Sequence, residues 1–434
     1  METISQSLPL NVYLSEYAAL LVRLATREWY TARVSACTLI PSSYTRFDAK
    51  QRVEMLRYFF DLCRDAAPMV QRVASKNLGS MLKTVIECQC KTTLTSPALA
   101  SSVAISGDTL SSESVHSSDL VLGAFLPLYE DLSANDQPDA VRLQTTENCI
   151  AFGEAVAVMR SETNFSSDST ACAEMIPRIL PLIVNTIDDR SWRVRWTAAS
   201  KFANVVSAFA PLEGSMDALV SAYERLLQDP EAEVRTAATL NLSKVAGCEC
   251  MVKVEPTSIT TITDSDNNAE QHAEDSKEDD TGPRINVAER LVKKVTTLTQ
   301  DDSEIVRAAL AMVITELAPI LGKDDTILHL VPPILLLLRD SASEVRLNVI
   351  SSLTFLNEVI GIDLLSQSLL PAIVDLAVDG KWRIRLAIIQ HIPLLAKQLG
   401  KEFFSEKLIP LCMCWLKDDI SSIRKAAVSN LKVK

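Results

Sequence analysis

One phrase recurs along this 434-residue chain and limits its fold more than any other feature: an aspartate, four variable residues, valine or isoleucine, then arginine. It stands at Asp189–Arg195, Asp229–Arg235, Asp301–Arg307, Asp340–Arg346, Asp379–Arg385 and Asp418–Arg424. The last four arginines are 39 residues apart, and Arg195 and Arg235 are 40 apart. Arg235 to Arg307 is 72, exceeding one period by 33. Upstream, Asp136–Arg142 fits the template, Asp65–Gln71 fits with glutamine in the arginine place, and Arg33 lies 38 residues earlier without the aspartate. Pro181, Pro332, Pro371 and Pro410 each precede the aspartate of their copy by eight residues. Two independent marks on one period define a repeat array of nine copies.

Each copy reads as two helices. Residues 366–377 place apolar side chains at helical spacing around Pro371, which is expected to bend that helix, and Trp382 opens a second amphipathic run. The aspartate falls in the turn between them, where a short carboxylate accepts from free helix N–H groups. Val194/Ala198, Val234/Ala238, Val345/Val349 and Ile384/Ile388 fall at i, i+4 and predict one buried face. The arginine beside that face is expected to reach the turn aspartate of the next copy. The ladder residues are Asp189, Arg195, Asp229, Arg235, Asp340, Arg346, Asp379, Arg385, Asp418 and Arg424. A two-helix period of 39 excludes ankyrin and tetratricopeptide repeats and fits the HEAT/armadillo class, so the expected fold is an all-α HEAT-repeat α-solenoid over residues 1–434.

Composition agrees. The chain is 47% hydrophobic and 23% charged, enough for a continuous core, while 11 glycines and 5% aromatics argue against sandwiches, propellers and glycine-rich nucleotide folds. The net charge of -12 includes an acidic stretch, 264–280, with eight acids against Lys277, and no Lys/Arg run offers a phosphate-binding stripe. Nucleic acid is not an expected partner. The N-terminal residues lack a signal-peptide pattern and the longest apolar run, 330–338, contains Pro332-Pro333, so no membrane insertion is expected. The expected location is the cytoplasm, with the nucleus as a second. Three spacings exceed the period and predict inserted loops: a Ser/Thr-rich one at 91–118, a short one at 160–173 and an acidic one at 252–284.

No catalytic constellation emerges. Gly322-Lys323, Gly380-Lys381 and Gly400-Lys401 are not followed by Ser/Thr, and no Gly-x-Ser-x-Gly is present. His116, His272, His329 and His391 lack metal-ligand spacing, and the Cys88/Cys90, Cys248/Cys250 and Cys412/Cys414 pairs are read as thiols, so no metal or cofactor is expected. Trp192 and Trp382, each three residues after a repeat aspartate and followed by Arg193 and Arg383, stand out instead. Exposed tryptophan beside arginine is the composition of an interface hot spot.

The turn sequences resemble the structural scaffold (A-type) component of protein phosphatase 2A over nearly the whole chain apart from the insertions. The resemblance is carried by Glu28-Trp-Tyr-Thr-Ala-Arg-Val-Ser-Ala-Cys37, Pro68-Met-Val-Gln-Arg72, Asp188-Asp-Arg-Ser-Trp-Arg-Val-Arg195 and Glu231-Ala-Glu-Val-Arg235. It continues in residues 318–324, 357–362 and 365–374 and in Lys381-Trp-Arg-Ile-Arg-Leu-Ala387. It implies a non-catalytic scaffold whose turns hold the catalytic subunit together with a B-type regulatory subunit. The regulatory-subunit ridge would map to Trp29, Pro68, Met69, Arg72, Trp192 and Arg193, and the catalytic-subunit ridge would begin at Lys381, Trp382 and Arg383. Gln71 departs from the arginine usual in the family. Relative to the family the chain reads as shortened at both ends. The alternative is a HEAT adaptor that has lost catalytic-subunit binding and holds a regulatory or unrelated partner; a hydrolase with an unrecognised site and a nuclear-transport receptor rank below it.

Overall fold

The computed structural model describes residues 8–92, 117–161, 169–212, 215–248, 287–361, 370–390, 393 and 409–431. Among these, every regular element is helical. The chain divides into two compact units, Met1–Val245 and Ala246–Lys434.

The first unit stacks α1 (Ala18–Thr26) with α2 (Tyr30–Ser43), α3 (Ala49–Cys63) with α4 (Pro68–Thr92), and α5 (Leu126–Ser133) with α6 (Thr145–Ser161). It continues with α7 (Ser169–Ile187) and α8 (Trp192–Phe209), then α9 (Met216–Leu226) and α10 (Ala232–Leu240), followed by α11 (Leu242–Ala246). The second unit pairs α12 (Val287–Leu298) with α13 (Glu304–Val313), α14 (Val331–Leu338) with α15 (Ser343–Ile360), α16 (Leu370–Leu376) with α17 (382–390), and α18 (Ile409–Trp415) with α19 (Ser421–Leu431). Within the first unit the second helices pack in chain order, α2 on α4, α4 on α6, α6 on α8 and α8 on α10; in the second, α13 packs on α15. This is a HEAT-type helical-repeat fold.

The repeat phrase explains the packing. The apolar residue before each arginine, Val194, Val234, Val306, Val345, Ile384 and Ile423, is buried, as are Ala198, Ala238, Val349, Ile388 and Ala427 one turn later. Full burial of one such branched side chain stabilises by about 1.5–3 kcal/mol, and the phrase repeats that gain in every unit. Two close helix approaches tighten the first unit. A Cβ on Gly79 of α4 would lie 2.6 Å from the Ala151 Cβ of α6, and one on Gly153 would lie 2.8 Å from the Phe209 ring.

A second set of polar ties links the second helices. Asn241 breaks the helix between α10 and α11 and donates to the Ala199 and Ser200 carbonyls of α8 at 3.2 and 3.1 Å. Asn430 donates to Ile389 O at 2.7 Å, Asn348 to Ala308 O at 3.1 Å, and the Ser352 hydroxyl to Ala311 O at 3.3 Å.

Pro181 lies inside α7, but Pro332 is the second residue of α14. Where the preceding residues are described, ahead of Pro332, a π-turn at Thr326–Leu330 absorbs the missing N–H, and Val121–Phe125 does the same ahead of Pro127. Of the expected loops, residues 93–116, 162–168 and 252–284 lie outside the described residues. Helix covers both flanks of the second, α6 including Ser161 and α7 including Ser169, and on the α7 side Ala171 and Ala173 are strong helix formers. No helix among the described residues is long and apolar enough to cross a membrane.

Candidate functional site

Seven of the described turns between paired helices are locked by an aspartate. Asp65, Asp189, Asp229, Asp301, Asp340, Asp379 and Asp418 each accept the backbone N–H two residues later at 2.7–2.9 Å. Six of these carboxylates, those of Asp65, Asp189, Asp229, Asp340, Asp379 and Asp418, receive the arginine of the preceding repeat. Arg33 reaches Asp65 through Nε at 2.6 Å and Nη2 at 3.0 Å, Arg142 reaches Asp189 at 2.7 and 3.0 Å, and Arg195 reaches Asp229 at 2.6 and 3.1 Å. Arg307 grips Asp340 at 2.7 and 3.1 Å, Arg385 grips Asp418 at 2.8 and 3.0 Å, and Arg346 Nη2 stands 3.1 Å from Asp379. Planar two-point pairing of this kind is what guanidinium offers and ammonium does not.

The third guanidinium nitrogen points backward. Nη1 of Arg195 and Arg235 donates to the carbonyls of Asp189 and Asp229, and Nη1 of Arg346, Arg385 and Arg424 to those of Asp340, Asp379 and Asp418. Each arginine with a described carboxylate partner therefore ties its own turn to the next. Hydrogen bonds to the aspartates raise the pKa of Arg33, Arg142, Arg195 and Arg307. Burial would raise Asp340, but the Arg307 hydrogen bond and the Ala342 amide outweigh it and hold the carboxyl below its ordinary value. The Arg385 hydrogen bond does the same for Asp418 against a smaller burial effect.

One rung is neutral. Gln71 donates from Nε2 to Gln137 Oε1 at 2.8 Å, while Asp136, the register equivalent of the other turn aspartates, is exposed. The cause lies two residues on. Position 138 is proline and has no N–H to fix the Asp136 carboxylate.

The locked turns present a ridge. Trp29, the N-cap of α2, is 76% exposed, with Tyr30 beside it. Pro68 and Met69 open α4, and Arg72 faces solvent one turn along. Trp192 opens α8 at 38% exposure with the Arg193 guanidinium 5.1 Å from its ring centroid. In the second unit Lys381 is exposed and Trp382, also 38% exposed, carries Arg383 at 5.2 Å. Trp29, Pro68, Met69, Arg72, Trp192 and Arg193 thus lie at or within one helical turn of the turns of the first unit, and Lys381, Trp382 and Arg383 at one turn of the second. Sequence reasoning passed over Tyr30, Trp196, Ile305 and Met312, all exposed apolar side chains. For Trp196 a signal existed, its i+4 spacing from Trp192 on one helix face.

Among the described residues no group of three or more His, Cys, Asp or Glu is placed to hold a metal ion. Cys88 and Cys412 are buried and Cys414 is exposed. Burial pushes the Cys37 and Cys149 thiols up to about 12, so both are protonated at neutral pH. The arrangement is suited to holding a protein surface.

The fold is that of a helical-repeat protein, and each unit carries an exposed Trp-Arg turn. Residues 143–335 match the family model described as PIK3R4-like, middle domain. Curated relatives carry a different description. The A-type regulatory subunit of protein phosphatase PP2A from Saccharomyces cerevisiae is 32% identical over 221 residues, 51% of this chain and 29% of that protein. Its namesake in Schizosaccharomyces pombe is 35% identical over 196 residues, 45% of this chain and 26% of that one. The "Protein phosphatase 2A scaffold subunit" of Dictyostelium discoideum is 39% identical over 82 residues, 19% of this chain and 14% of that protein. The match thus spans less than a third of the length of these relatives. Among solved structures, Kap121p bound to RanGTP is similar over 96% of this chain and 41% of its own, at 15% identity and a TM-score of 0.46.

Proposed function

We propose that this chain is a non-catalytic scaffold that assembles subunits of a protein phosphatase 2A-type Ser/Thr phosphatase on its turn ridge. A B-type regulatory subunit would sit on Trp29, Pro68, Met69, Arg72, Trp192 and Arg193, and the catalytic subunit on Lys381, Trp382 and Arg383. The observation that carries the reading is the pair of Trp-Arg turns. At the position of Trp192 and Trp382 the other turns have Pro68, Asp139, Ala232, Glu304, Ser343 and Ser421, so the fold does not require tryptophan there. A guanidinium held against an exposed indole is a rigid, amphipathic anchor of the kind that dominates interface energetics. The similarity to phosphatase 2A scaffold proteins from three organisms supports the same reading. No cofactor enters it, and the work would be done in the cytoplasm and nucleus.

The test is recovery of the tagged chain from a eukaryotic cell under mild conditions, with bound catalytic and regulatory subunits quantified. Loss of a hot-spot tryptophan costs about 2 kcal/mol or more, roughly thirtyfold in affinity. Trp382→Ala is expected to remove the catalytic subunit, and Trp192→Ala the regulatory subunit. Failure of the folded, unmutated chain to retain a catalytic subunit overturns the proposal.

A further inference from the structure

In the second unit, the face of α19 turned away from α17 is uncovered. Elsewhere in this unit the position four residues after the ladder arginine is buried, at Ala311, Ile350 and Ile389, and so is the position seven after it, at Ile314 and Leu353. On these side chains the next repeat stacks: α13 packs on α15, whose Ser352 hydroxyl donates to Ala311 O. On α19 the same two positions hold Val428 and Leu431, which are 43% and 42% exposed. The arginine of this repeat is set in the same way. Arg424 Nη1 donates to the Asp418 and Asp419 carbonyls, as Arg385 Nη1 does to those of Asp379 and Gly380. In Arg385 this aims Nε and Nη2 at the Asp418 carboxylate, at 2.8 and 3.0 Å. Among the described residues nothing accepts from Nε or Nη2 of Arg424, whose side chain is exposed. Ser421, Arg424, Lys425 and Val428 line an open groove of about 310 Å³.

We infer that this face of α19 receives a helix pair of a partner protein whose connecting turn carries an aspartate. The carboxylate would take Nε and Nη2 of Arg424, with Lys425 beside it, and apolar side chains of the pair would cover Val428 and Leu431. The repeats display this chemistry themselves. Arg307, Arg346 and Arg385 each hold the turn aspartate of the helix pair that follows. A second copy stacked end to end does not supply it. In the first repeat the residue six before Arg33, where later copies have the turn aspartate, is Arg27, exposed and of the same charge as Arg424. The inference rests on how the repeats stack and not on the phosphatase reading.

The probe is a fluorescein-labelled peptide of residues 331–360, the α14–α15 pair, whose Asp340 receives a ladder arginine within the chain. Titrated with the full chain in fluorescence anisotropy, it is expected to bind. Arg424→Glu should weaken binding roughly tenfold or more, and a peptide bearing Asp340→Arg should recover it on that variant while binding the unmutated chain poorly. Val428→Asp should also weaken it, whereas Lys417→Glu, an equal charge change on the exposed α18–α19 turn, should leave it within about twofold. Arg424, Val428 and Lys417 are all exposed, so each variant is expected to keep the fold, and circular dichroism checks that it does. Sedimentation of the chain alone tests for a second copy on the same face. No binding of the peptide, no recovery on exchange of the charges, or a dimer that Arg424→Glu dissolves overturns the inference.

Discussion

The guanidinium of Arg142 is 2% exposed and its partner Asp189 5%. Removing one member of such a pair leaves the other charge buried with part of its hydrogen bonding gone, a cost of about 3–5 kcal/mol. Arg142→Ala is therefore expected to lower the urea midpoint of the full chain markedly, and Arg142→Lys to recover only part of the loss, since an ammonium cannot pair at two points. Acid should act on the same contacts. The Asp340 and Asp418 carboxyls are held below their ordinary value in the fold, so their contribution is complete above the unfolded carboxylate pKa near about 4 and fades as pH falls through the lower folded value. Thermal melts should be flat from about pH 7 to 5 and fall below about pH 4, with a shallower acid limb in Asp418→Asn. A melting temperature indifferent to acid would show that the rungs add little. At this scale the sequence displayed the ladder positions through their strict spacing. It did not display the neutral rung, because Pro138 acts through a missing N–H and Gln137 is one place out of register.

At the scale of helices, two devices set how closely repeats approach. Asn241 carries its amide to three carbonyls, Ala199, Ser200 and Ala237, at 3.0–3.2 Å. Asn241→Ala leaves those acceptors short of a donor in the interior and should cost about 1–3 kcal/mol, read as a lower urea midpoint. Gly79→Ala pits two effects against each other. Alanine favours a helix over glycine by roughly 0.5–1 kcal/mol, but a Cβ at 2.6 Å from Ala151 must force the helices apart at about 1–3 kcal/mol. Overpacking wins, so the substitution should destabilise; a raised midpoint would mean that α4 and α6 separate at little cost. Helix pairs were legible here because the i, i+4 apolar pattern repeats. The break at Asn241 and the π-turns ahead of Pro127 and Pro332 were not, since periodicity reports which face is buried and is silent about where a carbonyl needs a donor.

At the scale of the whole molecule, nine repeat phrases yield two compact units, each with its own exposed Trp-Arg turn. If the two anchors act on different partners, Trp192→Ala and Trp382→Ala should deplete different proteins from the recovered complex, and the double variant should lose both. Depletion of the same protein by either single change would place one partner across both turns. The fold class was legible throughout because a solenoid writes its period into the sequence. The candidate site was legible only where it departs from that period, as at Trp192 and Trp382. Trp196 falls at a position that the repeat leaves free to vary. The ladder also implies a pattern of inheritance. Because Arg195, Arg307 and Arg385 hold aspartates 33 or 34 positions downstream, neither member can be lost alone without stranding the other. Across related chains the two positions should covary; where glutamine stands in the arginine place, at Gln71, the aspartate of the next turn, Asp136, is kept but lies exposed instead of being stranded in the interior.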